Sequence, residues 1–181
     1  MLSITIKGQE IFDESTMKRY KTKDVTLQLE HSLVSISKWE SKWQVHYINN
    51  DKLTAEMSID YIRCMTVSQN VDPRVYRLLT DDNMRDIISY INNPMTATTI
   101  KTMEKPKGPN KAITSEQIYS WMCRFRIPFD PCQKWHLNRL LMLIRVCDEN
   151  ESPKKRMGRR EEAAQRRSLN AARRARMRSK G

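Results

Sequence analysis

Apolar positions recur along this chain with two different periods, and the change of period organises it. Near the start, Ser3–Ile4–Thr5–Ile6–Lys7 alternates residue by residue, and so does Val25–Thr26–Leu27–Gln28–Leu29 after the polar KRYKTKD segment. This is the pattern of half-buried strands and predicts a small hairpin or edge sheet. From Leu33 the spacing becomes three and four, with Leu33, Ile36, Trp39 or Glu40, and Trp43 in register behind Ser32. That predicts an amphipathic helix with a serine N-cap. Thr54 similarly heads a helix through Ile59, Ile62, Cys64 and Met65, with Tyr61 and Arg63 on its flanks. Asp72–Pro73 is a helix start, because the acid accepts from free N–H groups and proline fits the first turn. A short helix from Pro73 to Leu79 follows. Thr80 then heads DDNMRDIISYI, which ends at Asn92–Asn93–Pro94.

Residues 95 to 113 lose the helical period and read as a loop. Thr114–Ser115–Glu116–Gln117 resembles a capping box before Ile118, Trp121, Met122 and Phe125, and RIPFDP breaks that helix. The next stretch, DPCQKWHLNRLLMLIRVC, places Asp130 as N-cap and Pro131 in the first turn. Trp135, Leu137, Leu140, Leu141, Ile144 and Cys147 then share one broad stripe, apart from Lys134, Asn138, Arg139 and Arg145. Trp135 is expected to anchor the core against the helix carrying Trp121. The fold class is therefore mainly α with a small N-terminal β element, an α+β chain.

Composition narrows the function classes. The 181 residues suffice for one domain plus an appendage. With only 4 Gly and no Walker or dinucleotide-binding loop, a Gly-cradled phosphate site has no material. No run of about 18 apolar residues occurs, and no apolar segment follows a basic start. Neither a membrane span nor a signal peptide is expected, which places the protein in a cytoplasm. The four cysteines, Cys64, Cys123, Cys132 and Cys147, are sparse for a disulfide scaffold and are expected to be reduced.

The net charge of +12 is concentrated at one end. Residues 154 to 180 hold twelve Lys and Arg against two acids, a net +10, which leaves +2 for the rest. The polar run Glu149–Asn150–Glu151–Ser152–Pro153 ends the preceding helix, dividing a helical body, 1–152, from an Arg-rich tail, 153–181. In the tail, Arg159–Arg160, Arg166–Arg167 and Arg173–Arg174 recur every seven residues, followed by Arg176 and Arg178. One helix would carry all three pairs on nearly the same face. Such a segment cannot bury itself; it is expected to be a solvated, partly disordered helical tail that orders on an anionic partner, nucleic-acid phosphate or an acidic helical protein, through these arginines. With no aromatic side chain for stacking, any nucleic-acid binding would be sequence-independent and salt-dependent.

Catalytic chemistry finds little support. Cys132 and His136 are four apart, with Cys123 upstream, but the spacing lacks a C-x2-C knuckle and a clear fourth metal ligand. Cys132 or Cys123 could pair with His136 or His31 as a nucleophile, yet nothing in the apolar stripe lowers a thiol pKa. The acid pairs Asp81–Asp82 and Glu161–Glu162 sit at a helix start and in the tail, where dipole compensation and solubility account for them. No enzyme, cofactor or metal is expected.

Five stretches in order, LQLEHSLVSISKWESKW (27–43), DYIRCMT (60–66), ISYINNPMTAT (88–98), ITSEQIYSWMCRFRIPFDPCQKWHLNRLLMLIRVC (113–147) and SLNAARRARMRSKG (168–181), carry a resemblance. The chain resembles small proteins of long-tailed bacteriophages assigned as tail assembly chaperones. The resemblance implies a helical, non-catalytic protein of the host bacterial cytoplasm that binds the tape measure protein, or another tail protein, during tail building. The tape measure is a long helical chain with unburied apolar faces, so its chaperone would offer apolar, Met-rich grooves. Met57, Met65, Met84, Met122 and Met142 are the candidates. Two alternatives stand beside it: a nucleic-acid-associated phage protein, and a structural head–tail or tail component of the virion.

Overall fold

The structure, a computed structural model, describes residues 1–13, 17–99, 112–151 and 159–177. It is mainly helical with a small N-terminal antiparallel sheet. Strand β1 (Leu2–Ile6) pairs with a later strand, Val25–Leu29, setting Leu2 opposite Leu29 and Ile6 opposite Val25. The alternation in both sequences buries Ile4, Ile6, Leu27 and Leu29 on one face. On the other face the Thr5 and Thr26 hydroxyls meet at 3.2 Å.

Between these strands the chain forms a hairpin, β2 (Glu10–Asp13) and β3 (Lys18–Lys21), which makes Val25–Leu29 strand β4. Sequence periodicity does not announce this hairpin, because its residues are mostly charged. Cross-strand complementarity supports it instead: Glu10 faces Lys21 and Asp13 faces Lys18. Gly8 permits the close crossing below it, since a Cβ there would lie 2.3 Å from the Thr22 carbonyl oxygen.

The helices follow as α1 (Leu33–Trp43), α2 (Ala55–Met65), a 3-10 helix (Pro73–Leu78), α3 (Asp81–Asn92), α4 (Ser115–Arg124), the single turn α5 (Phe129–Cys132), α6 (Leu137–Glu151) and α7 (Arg159–Met177). Their starts are capped where small polar residues precede them. Ser32 Oγ accepts from Ser35 N–H at 3.3 Å, Thr54 Oγ1 from Met57 N–H at 3.2 Å, and Asp72 from Arg74 N–H at 2.9 Å. Thr80 and Asn83 form a reciprocal capping box.

Two starts differ from the sequence expectation. Thr114 makes no side-chain cap bond. Its place is taken across the fold by Glu40 of α1, whose Oε2 accepts from Ser115 N–H at 2.7 Å while Oε1 accepts from Tyr47 N–H at 2.9 Å. Nor does Asp130 cap α6: it is extended (φ −97, ψ 127) within α5, and α6 begins only at Leu137. Pro131 disfavours helical geometry at the residue before it, so the DPC segment makes a kinked turn ahead of the helix.

The core gathers on α1, α2 and the inner faces of β1 and β4. Trp39 is fully enclosed, and its indole N–H donates to the Met57 carbonyl at 2.9 Å. Trp135 packs against the core, as does Trp121, but at its edge rather than as a buried anchor. It lies ahead of the first turn of α6, half-buried, with the Arg139 guanidinium 4.4 Å from its ring centroid. The chain divides into two compact units, Met1–Asp148 and Glu149–Gly181. Residues 95–99 carry no regular structure, and the rest of the expected loop from 100 to 111 lies outside the described residues.

Candidate functional site

The densest polar chemistry in the first unit is buried. The short segment between β4 and α1 is stitched to two others by backbone bonds: Glu30 N–H donates to Met65 O at 2.9 Å, and Leu137 N–H donates to His31 O at 2.7 Å. This brings His31 and His136 together, with ring centroids 5.1 Å apart in an edge-on contact. His31 Nδ1 meets Tyr61 Oη at 2.5 Å, and the Tyr61 ring stacks on Tyr47 at 3.8 Å. His136 Nδ1 accepts from Asn138 N–H at 3.3 Å, and its Nε2 lies 3.0 Å from the Tyr90 carbonyl. Its proton therefore sits on Nε2, which donates to that carbonyl. Glu30 closes the edge, accepting from Tyr90 O–H at 2.7 Å and pairing with the N-terminal ammonium at 3.1 Å.

Burial governs the titration of this cluster. Enclosure, and after it the neighbouring His136, lowers the His31 pKa to about 3. Burial lowers that of His136 too, against the Tyr90 carbonyl and the Glu30 charge, which favour its proton. Burial likewise raises the Tyr61 and Tyr47 phenols. At neutral pH the two histidines and the phenols around them form an uncharged, hydrogen-bonded knot, with the Glu30 carboxylate at its edge. Its chemistry is structural: it ties the β4–α1 turn, α2, α3 and the start of α6 together.

The cysteine and histidine candidates from the sequence are thereby dispersed. Both nitrogens of His136 are engaged by the protein, which leaves neither for a metal beside Cys132. All four cysteines are free: Cys132 is buried, Cys123 exposed, and Cys64 and Cys147 half-buried. Burial, followed by the Asp60 carboxylate, raises the Cys64 thiol. Among the described residues no group of three or more His, Cys, Asp or Glu could hold a metal ion. Asp81 and Asp82 occupy the first turn of α3. No helix of the described residues is long and apolar enough to cross a membrane.

Two surfaces remain. The first is on α6, where Leu137, Leu140 and Ile144 are buried in the core. At about 100° per residue, Met142 and Val146 lie on the opposite side, near Arg139. Both are half-buried and stand outside the cluster of side chains packed on the core. Of the other methionines, Met65 and Met122 are buried, and Met57 and Met84 are half-buried against the core. The expected Met-rich groove is thus reduced to Met142.

The second surface is α7. Arg166, Arg167, Arg173, Arg174 and Arg176 are exposed along it, as are Leu169 and Met177. Positions 159 and 160 belong to the same helix, and Arg178 lies outside the described residues. Sequence spacing found this surface directly, whereas the histidine pair had no sequence signal because its members belong to distant segments. Comparison with known proteins finds no matching family model, no matching curated protein and no matching solved structure.

Proposed function

We propose that this protein is a non-catalytic tail assembly chaperone of a long-tailed bacteriophage, holding the tape measure protein while the tail is built in the bacterial cytoplasm. The observation that carries the reading is the second face of α6. A helix that only walls a core keeps polar residues on its far side; α6 instead places Met142 and Val146 there, beside Arg139. Such a stripe suits a long amphipathic helix laid against it, with methionine adapting to successive contacts. The ordered resemblance of residues 27–147 to tail assembly chaperones supplies the partner's identity. The closed, neutral histidine cluster and the raised Cys64 thiol fit a binding role better than a reactive one.

Co-expression with a tape measure fragment tests this. The full chain should keep the fragment soluble, and the double variant Met142→Glu, Val146→Glu should lower the soluble yield several-fold while the variant itself stays folded. An unchanged yield would remove the α6 stripe from the account. Recovery of the protein from purified virions as a stoichiometric component would favour a structural tail role instead.

A further inference from the structure

We infer that α7 is a binding helix for double-stranded DNA, which it would grip by the phosphates of both strands from within the major groove. The helix holds seven arginines, no lysine and two glutamates, a net +5 over 19 residues. At about 100° per residue six of the seven arginine positions fall into two rows, with Arg176 outside both. One contains 159, 166 and 173, the other 160, 167 and 174, and the rows diverge by roughly 100°. Between them runs a third row, Ala163, Asn170 and Met177. The opposite side mixes Ala164, Ser168 and Ala172 with the positions of Glu161, Gln165 and Arg176.

This arrangement selects among anionic partners. An acidic protein helix would need an apolar seam, and α7 has only isolated Leu169 and Met177, so it would depend on exposed ion pairs worth about 0–1 kcal/mol each. Phosphate binding has no such requirement, because released counterions supply the driving force. Guanidinium also matches phosphate in a bidentate fork, which lysine cannot do. A single strand would engage one row and would call for aromatic stacking, and α7 contains no aromatic residue. Two rows on either side of a narrow ridge suit the two walls of a groove. The B-form major groove, about 12 Å wide, admits an α-helix, whereas the major groove of A-form RNA is narrow.

This second activity resides in the 149–181 unit and is independent of the α6 reading. The test uses the full chain and a labelled 24-base-pair DNA duplex, titrated by fluorescence anisotropy at several salt concentrations. The variant Arg166→Gln, Arg167→Gln, Arg173→Gln, Arg174→Gln keeps helix-forming residues at all four positions. It should bind at least tenfold more weakly, with a log–log salt slope shallower by about 3 to 4. Circular dichroism of both proteins checks that α7 persists, and the fourfold lysine variant should keep most of the affinity. Equal binding by the glutamine variant would overturn the inference. So would tighter binding to single-stranded DNA or duplex RNA, or displacement of the duplex by polyglutamate at equal charge concentration.

Discussion

The two units of this chain are both helical, yet their helices exist for opposite reasons. In Met1–Asp148, each regular helix turns an apolar face to a shared core, from Ile36 and Trp39 on α1 to Leu140 and Ile144 on α6. In α7 every side chain whose exposure is described is exposed. The first set is held by packing, whereas the second has alanine-rich helix propensity in place of a shared core. Loss of a buried group should therefore damage the body severely, while loss of the whole tail should scarcely touch the body's stability.

The strongest break is at Trp39. Trp39→Ala empties the centre of the core and removes the indole's bond to the Met57 carbonyl, which should cost about 3–5 kcal/mol in denaturant unfolding. Trp135→Ala, at a half-buried ring stacked under Arg139, should cost well under half of that. Equal losses would mean that the edge of the core at Trp135 is packed as tightly as its centre.

Acid should act on the body next. Both histidines are neutral when folded, with pKa values below the unfolded 6.5. Below that pH the unfolded chain binds more protons, so their contribution is intact above about 6.5 and declines as pH falls. His31 alone should remove about 2 kcal/mol between pH 6.5 and 5, and its contribution should go on falling towards pH 3. Thermal melts across that range should show the decline, and His31→Gln should flatten it. A flat native profile would place water at the pair.

The smallest effect sharpens the contrast. Truncation after Ser152 should change the body's unfolding free energy by less than about 0.5 kcal/mol, because exposed arginines bury no apolar area there. A larger loss would show that α7 packs on the body.

Much of this contrast was legible in the sequence, and the exceptions share a cause. Ser32, Thr54, Asp72 and Thr80 announced their helices because a cap and its N–H lie within three residues. The arginine repeat was equally plain, being a matter of spacing along one helix. The histidine knot was not legible, since His31 and His136 meet only after β4, α2 and α6 are in place. Glu40 was hidden for the same reason: it read as one position of the α1 stripe, and the N–H it caps is 75 residues away. The charged β2–β3 hairpin escaped because its pairing is carried by complementary charge rather than by alternating apolar residues.

The reach of Glu40 has one further consequence, for tolerance to change in length. The connection from Asn93 to Thr114 is fastened at its start by Asn138, whose Nδ2 donates to the Ile91 and Asn93 carbonyls at 2.9 and 2.8 Å. At its end it is fastened by Glu40 on Ser115 and by the bridge between Ile48 and Ile113. With both ends held by α1 and α6, the closure entropy of the connection grows only slowly with its length. Doubling that length adds only about 0.6 kcal/mol. Lengthening the connection should therefore cost little in closure entropy.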